Sequence, residues 1–285
     1  MIDTLQIRQL HEADSEPIDP VLKAAYRVTI SRAHEVRRNL AAQPDGWLIA
    51  ESGNQPVGMV GVVAYDTFAY VGLMAVDPSA QRLGIGNRLM VELLDRCDQR
   101  GYPPQRLDAT AAGAPLYQKH GFVTIASSVV YEHEQPFQSW PQPVTRIRPI
   151  EPGDLPALIA FDTPRFGADR GRVLSHLLAE YPERAWLSTA STGQITGYLF
   201  AQAFTIGPWV ASTPTAAADL LDTALAATAI ERPRVLADQN QAELAAILTE
   251  RGFRLQRELA HMCRGSARIW GQPTNLYGKA SFALG

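Results

Sequence analysis

The segment Val71–Leu94, VGLMAVDPSAQRLGIGNRLMVELL, decides the fold, because it reads as a strand, a tight glycine loop and then a helix. The strand is Val71 to Val76, closed by Asp77-Pro78, and from Ile85 the apolar residues Ile85, Leu89 and Leu93, with Leu83, Met90 and Leu94, recur at helical spacing. Between them lies Gln81-Arg82-Leu83-Gly84-Ile85-Gly86. Two glycines at the mouth of a helix remove the Cβ atoms that hold a ligand off the backbone, so several free N–H donors can face one anion. The positive end of the helix dipole and the charge of Arg82 fall at the same place, which suits a diphosphate. Alone, such a loop also fits an ordinary helix-entry turn. The dinucleotide fingerprint fits poorly, since Arg88 and Leu89 stand where a third glycine belongs, and no Gly-Lys-Ser/Thr marks a P-loop.

Downstream come a short strand, Arg106 to Thr110, and then Gly113-Ala-Pro-Leu-Tyr117-Gln-Lys-His-Gly121-Phe122. A Gln-Arg-x-Gly-x-Gly loop followed by Leu-Tyr-x-x-x-Gly-Phe, in this order and spacing, resembles the GCN5-related N-acetyltransferase (GNAT) superfamily, whose co-substrate is acetyl-CoA.

Working outward, the chain repeats itself. Leu5-Gln-Ile-Arg8 with Asp14 beyond it returns 140 residues later as Thr145-Arg-Ile-Arg148 with Asp154, and Gly121-Phe122 returns 131 residues later as Gly252-Phe253. The hairpin Ala50–Gly58 likewise returns as Ala190–Gly197. In the first copy the pattern predicts a strand at Leu5–Gln9, two helices within Pro17–Ala42, and a hairpin of Trp47–Glu51 and Val57–Tyr65 turned by Gly53-Asn54. The quoted strand–loop–helix, the Arg106 strand, the Tyr117 helix and a strand over Phe122–Tyr131 complete it. The second copy predicts helices over Leu155–Phe161, Val173–Glu180, Ala216–Ala229 and Ala242–Arg251. Its strands are expected near Arg146 and over Arg184–Thr189, Ile195–Ala203, Phe204–Ala211, Arg234–Ala237 and Phe253–Cys263, with a last one in the tail Asn275–Gly285. This is an α/β chain with an α+β mixed sheet, organised as two tandem acyl-CoA N-acyltransferase folds. The expected boundaries are 1–135 for the acetyl-CoA-binding, catalytic copy, a proline-rich linker at 136–143, and 144–285 for a degenerate copy. It is degenerate because its junction, Ile206-Gly-Pro-Trp-Val-Ala-Ser-Thr-Pro214, has an ordinary Ser-Thr-Pro cap where the glycine loop should be. The layout resembles tandem, two-domain bacterial acetyltransferases of the YitH-like type, with Phe166-Gly-Ala-Asp-Arg170 and Ile206–Val210 as signatures of the second domain.

Composition narrows the function classes. A net charge of −3 argues against nucleic acid and supplies no polybasic membrane face. No apolar run is long enough to span a bilayer, and Met1–Pro20 lacks the pattern of a secretory leader, which points to the cytoplasm. Cys97 and Cys263 suggest neither a disulfide framework nor a metal site, and read as packing residues.

The chemistry that the resemblance implies is aminolysis of a thioester, in which an amine attacks the acetyl carbonyl, an oxyanion develops and the CoA thiolate leaves protonated. Tyr117 matches the family's proton donor, and the backbone N–H of Val76 would polarise the carbonyl. Met74, Ala75 and Val76 would pair with the pantetheine arm, while Gln81, Arg82, Leu83, Gly84, Ile85, Gly86, Asn87 and Arg88 would wrap the diphosphate. Many relatives place a glutamate base on the central strand, but Tyr70–Val76 has no carboxylate. Among Glu51, Asp66 and Asp108, Asp108 is the candidate, and a water relay or an already neutral amine would need no base. His34 and Glu35 lie where the family builds its acceptor pocket, a position that also suits a solvated helix face. Trp209, Phe166 and Arg170 are candidates for an acceptor-site wall if the second copy closes over the first, and Trp209 fits a core position equally well. The expected acceptor is a small-molecule amine, with a monomer or homodimer as the assembly. Acetylation of protein lysines or N-termini, and a non-catalytic acetyl-CoA sensor, are the alternatives.

Overall fold

The computed structural model describes residues 5–133, 146–228, 230–239, 242–268 and 270–285; the linker expected at 136–143 lies outside them. The chain forms two compact units, the first comprising Met1–Val123, Met262–Ala267 and Leu284, the second Thr124–His261, Arg268–Ala283 and Gly285.

In the first unit, β1 (Leu5–Gln9), α1 (Asp19–Tyr26), α2 (Ala33–Ala42), β2 (Trp47–Ser52), β3 (Gln55–Ala64), β4 (Ala69–Val76), α3 (Ile85–Gln99), β5 (Gln105–Ala109) and α4 (Ala114–Lys119) follow one another. The strands lie in the order β1-β2-β3-β4-β5. The β1-β2-β3-β4 pairs are antiparallel and β4 runs parallel to β5. Of the helical stripe read in the sequence, Ile85, Leu89, Met90, Leu93 and Leu94 form the buried face of α3 together with Cys97, whereas Leu83 precedes the helix in the glycine loop and is exposed. Burial pushes the Cys97 thiol up to about 11, so it is a packing residue.

The second unit repeats the plan with β7 (Arg146–Pro149), α5 (Leu155–Phe166), α6 (Gly171–Glu180), β8 (Ala185–Thr189), β9 (Ile195–Ala201), β10 (Thr205–Ala211), α7 (Pro214–Ala227), β11 (Arg234–Asp238), α8 (Ala242–Glu250) and β12 (Phe253–Arg264). Strand β6 (Val123–His133), the last of the first copy, pairs antiparallel with β11 over Ser128↔Asp238 to Glu132↔Arg234. A short β13 (Leu276–Gly278) pairs with β10. The core packs Trp209, Leu220, Leu221, Leu248 and Phe253 together.

The repeat is physical as well as textual. Arg8 clamps Asp14 at 2.7 and 2.8 Å, and Asp14 in turn accepts from the His11 N–H at 2.8 Å. Arg148 clamps Asp154 at 2.7 and 2.6 Å, and Asp154 accepts from the Glu151 N–H at 2.8 Å. Each clamp fastens the first strand of a copy to the turn that leads into its first helix. One helix is longer than its pattern predicts: α5 continues past Phe161 and through Pro164 to Phe166. The proline falls in the last turn, where its missing N–H removes a single rung, and Gly167 at φ 89° ends the helix.

Candidate active site

The site begins where β4 parts from β5. Their parallel ladder holds Ala69↔Gln105 and Tyr70↔Arg106. Beyond it, β4 changes register against β3, from Gly61↔Gly72 to Met59↔Ala75, around Leu73 at φ 49°. A leucine in the left-handed region is strained, and a bulge re-aims the groups that follow. The N–H of Asp77 donates to the Val57 carbonyl at 2.9 Å, so Asp77 and, by alternation, Ala75 face β3. The carbonyl of Met74 and the N–H of Val76 therefore project from the opposite edge. That edge offers an extended ligand one acceptor and one donor in strand geometry, as Met74–Val76 requires.

The loop after β4 is built to leave donors exposed. Arg82 at φ 65° and Gly84 at φ 82° turn the backbone left-handed. Gly84 stands at the N-cap of the 15-residue α3 and has no side chain with which to cap it. The first-turn N–H groups thus face outward beside the positive end of the dipole. A Cβ on Gly84 would meet nothing within 4 Å, and one on Gly86 would meet only Leu116 Cδ2 at 3.5 Å and Val76 Cγ2 at 3.7 Å. The loop is open on its outer face, so its residues fit a diphosphate. Leu83 is 55% exposed, whereas Ile85 is buried and can offer only backbone. Gln81 Nε2 donates to the Val76 carbonyl at 3.1 Å, Asn87 Oδ1 meets His120 Nε2 at 3.1 Å, and Arg88 donates to the Leu5 carbonyl at 3.2 Å. These three side chains hold the loop to its surroundings.

Tyr117 sits on α4 with its ring packed edge-to-face on Phe122 at 6.0 Å. Burial, and secondarily the nearby Tyr26, holds its phenol protonated far above the ordinary tyrosine range. Asp108 on β5 accepts a hydrogen bond from the Tyr70 hydroxyl. A residue absent from the sequence reading also reaches the edge: Tyr26, at the end of α1, donates its hydroxyl to the Met74 carbonyl at 3.1 Å. The Arg32 guanidinium lies over the Tyr26 ring at 4.6 Å. No motif flags Tyr26, because its position depends on how α1 packs.

The second unit handles the equivalent edge differently. Its parallel ladder also has two rungs, Thr205↔Arg234 and Ile206↔Val235, and β10 also changes register against β9 after Ile206. Beyond that point β13 lies along β10, with Trp209↔Gly278 and Val210↔Leu276, and the Lys279 N–H donates to the Leu236 carbonyl of β11 at 2.7 Å. The chain's own tail thus fills the gap between the strands. At the head of α7 the Thr213 hydroxyl accepts from the Ala216 N–H at 3.2 Å, an ordinary cap. Trp209 is fully buried against Tyr277, with ring centroids 5.2 Å apart. Arg170 is also buried, bonded to Asp162 at 2.8 and 2.9 Å and to the Tyr198 hydroxyl at 3.0 Å. Phe166 lies under that guanidinium, 3.9 Å from it. The acceptor-wall expectation for these three residues is thereby corrected: a guanidinium this deep needs all its partners inside the protein, and here it has them. Among the described residues, no group of three His, Cys, Asp or Glu side chains could hold a metal ion.

A central strand that leaves its parallel neighbour and runs into an uncapped glycine loop suits an acyltransferase that draws on a diphosphate-bearing thioester. Two acetyltransferase (GNAT) domain models match the chain, at residues 14–139 and 158–278. The chain is 30% identical over 202 residues to the uncharacterised N-acetyltransferase YitH of Bacillus subtilis (strain 168), covering 69% of this chain and 70% of that protein. The crystal structure of a putative acetyltransferase from Pyrococcus horikoshii superposes with a TM-score of 0.85 at 26% identity, covering 99% of this chain and 96% of that one. A GCN5-related N-acetyltransferase from Sphaerobacter thermophilus shares the fold, with a TM-score of 0.70 at 16% identity over 94% of this chain and 98% of that one. The chain belongs to the GNAT acetyltransferase family, with two such domains in tandem.

Proposed function

We propose that the first copy, residues 1–135, moves an acetyl group from acetyl-CoA to the primary amine of a small molecule by direct attack in a ternary complex, and that the second, residues 144–285, holds no acetyl-CoA. The observation that carries this reading is the edge of β4, where the Met74 carbonyl and Val76 N–H point away from β3 and lead straight into the uncapped head of α3. Acetyl-CoA supplies an activated thioester and a good leaving group. The Val76 N–H stabilises the developing oxyanion, the donors from Gln81 to Arg88 hold the diphosphate, and Tyr117, kept neutral by burial, gives its proton to the departing sulfur. Asp108 is held by Tyr70 and is given no proton to move. Support for a small acceptor comes from Tyr26, which lies across the open edge and narrows the approach to it.

Acetyl-CoA at a hundred times its dissociation constant should stabilise the chain by about 2.7 kcal/mol. Gly84→Glu with Gly86→Glu, which sets two carboxylates in the diphosphate's place, should abolish the melting shift. A folded parent with no shift at saturating acetyl-CoA sinks the proposal. A shift without turnover of any free amine or lysine peptide would indicate a sensor, and turnover of lysine peptides alone would overturn the small-molecule acceptor.

A further inference from the structure

Past Tyr70 the free edge of β4 has no strand beside it, because the ladder with β5 ends at Tyr70↔Arg106. A half-buried backbone carbonyl there needs a donor. The Met74 carbonyl has one in a side chain: the Tyr26 hydroxyl donates to it at 3.1 Å. The support behind that hydroxyl is fixed. The Arg32 guanidinium lies over the Tyr26 ring at 4.6 Å and pairs with Glu35 at 2.5 Å, while the Arg32 backbone N–H donates to Asp19 at 2.6 Å. Tyr26 itself is less constrained. It is the last residue of α1, off the face that Val21 and Leu22 bury, and it is 37% exposed. Its bond to Met74 lies at the surface, so breaking it leaves the hydroxyl to water at little cost. A side-chain rotation that carries the hydroxyl by about one hydrogen-bond length frees the carbonyl and needs no movement of α1.

This carbonyl is also the acceptor assigned to the pantetheine arm. We propose, on the reading that the first unit binds acetyl-CoA, that Tyr26 is a gate on the path of that arm. Its hydroxyl holds the Met74 carbonyl in the free protein and yields it to an amide N–H of the arm when acetyl-CoA binds. Tyr26 is thus the removable counterpart of β13. In the second unit backbone occupies the edge along Trp209↔Gly278 and Val210↔Leu276, and in the first a single side-chain hydrogen bond occupies Met74. A ligand amide can replace one surface hydrogen bond, whereas a strand that is part of the same chain competes at high effective concentration. The diphosphate loop at Gln81–Arg88 does not depend on the gate.

The test uses the full chain with Tyr26→Phe, which keeps the ring beneath Arg32 and removes only the hydroxyl. Two probes separate the arm from the diphosphate: acetyl-CoA, and 3′-phospho-ADP, which carries the diphosphate and lacks pantetheine. In titration calorimetry, Tyr26→Phe should bind acetyl-CoA about fivefold more tightly than the parent, the scale of one hydrogen bond that no longer has to be broken. It should bind 3′-phospho-ADP as the parent does. Without ligand the variant should melt slightly below the parent, yet show the larger acetyl-CoA melting shift. An acetyl-CoA affinity that is unchanged or weaker in the variant would overturn the gate, since the hydroxyl would then share the carbonyl or contact the arm. Equal tightening of both probes would overturn it too, by placing the effect at the diphosphate loop. A parent that binds acetyl-CoA no better than 3′-phospho-ADP keeps the diphosphate site and sinks the gate, because the arm then gains nothing from the edge. A folded parent that binds neither probe removes the acetyltransferase reading itself, and the gate with it.

Discussion

In the first unit the parallel ladder of β4 with β5 ends at Tyr70, and the Tyr26 hydroxyl reaches the Met74 carbonyl beyond it, whereas in the second the corresponding edge of β10 beyond Ile206 is occupied by β13. The helices that follow diverge in the same sense: α3 begins at Gly84 with its donors uncapped, and α7 begins at Thr213 with a side-chain cap. One strand geometry thus serves two ends. An edge with unpaired donors and acceptors must find a partner, and either a ligand or the chain's own tail can supply it. On the proposed reading, the absent glycine loop and the seated tail go together, since an edge that receives no pantetheine would otherwise leave its backbone groups unmet.

The largest break in this comparison should come from the seat of β13. Gly207 lies at φ 148°, and a Cβ there would stand 2.1 Å from the Lys279 carbonyl oxygen. Gly207→Ala should therefore cost about 3 kcal/mol, the upper range of overpacking, read as a fall in the denaturation midpoint. The acetyl-CoA melting shift should survive in the folded protein. Loss of that shift would mean that the second unit's edge contributes to cofactor binding.

Tyr117→Phe should do the reverse. Turnover should drop about a hundredfold, equivalent to about 2.7 kcal/mol, at unchanged acetyl-CoA affinity. Because burial keeps Tyr117 protonated, the parent's rate should rise with pH as the amine loses its proton and show no alkaline fall through pH 9. An alkaline fall in that window would show that Tyr117 is not the acid. A smaller effect is expected at the cap of α7. Thr213→Ala should cost about 1 kcal/mol and leave acetyl-CoA binding alone, whereas Gly84→Glu with Gly86→Glu should act on binding.

Much of this contrast is legible in the sequence, and the illegible part has a physical reason. The Arg8–Asp14 and Arg148–Asp154 clamps are written 140 residues apart because a local turn needs the same chemistry in each copy. The glycine loop and its replacement by Ser212-Thr213-Pro214 are local as well, since backbone conformation and capping are properties of adjacent residues. Tyr26 is not legible: a tyrosine ending an amphipathic helix looks like packing until the helix is seated on β4. Nor does any local signal say which sheet will take up a terminal strand. β6 ends the first copy, yet it pairs with β11 of the second, and residues Met262–Ala267 at the end of β12 belong to the first unit.

That assignment of Met262–Ala267 gives the smallest and most discriminating prediction. Arg264 pairs with Asp98 of α3 at 2.7 and 2.8 Å and donates to the Gln105 amide oxygen of β5 at 2.8 Å. The hydrogen bonds from Arg264 hold the Asp98 carboxyl below its ordinary range, with burial weakly opposing them. A carboxylate depressed in the folded state adds stability above its unfolded value, about 3.9. That stability disappears as pH falls through the folded value. Asp98 is more than half exposed, so the pair should contribute less than about 1 kcal/mol and weaken in salt. Arg264→Ala should therefore lower the midpoint of urea unfolding more at pH 7 than at pH 3, and more in dilute buffer than in molar salt. The Gln105 bond does not titrate, so a cost that is the same at pH 7 and pH 3 would belong to that bond and to the seating of the β12 end on β5 rather than to the Asp98 pair. A cost of zero under every condition would show that Arg264 does nothing to hold this segment in the first unit.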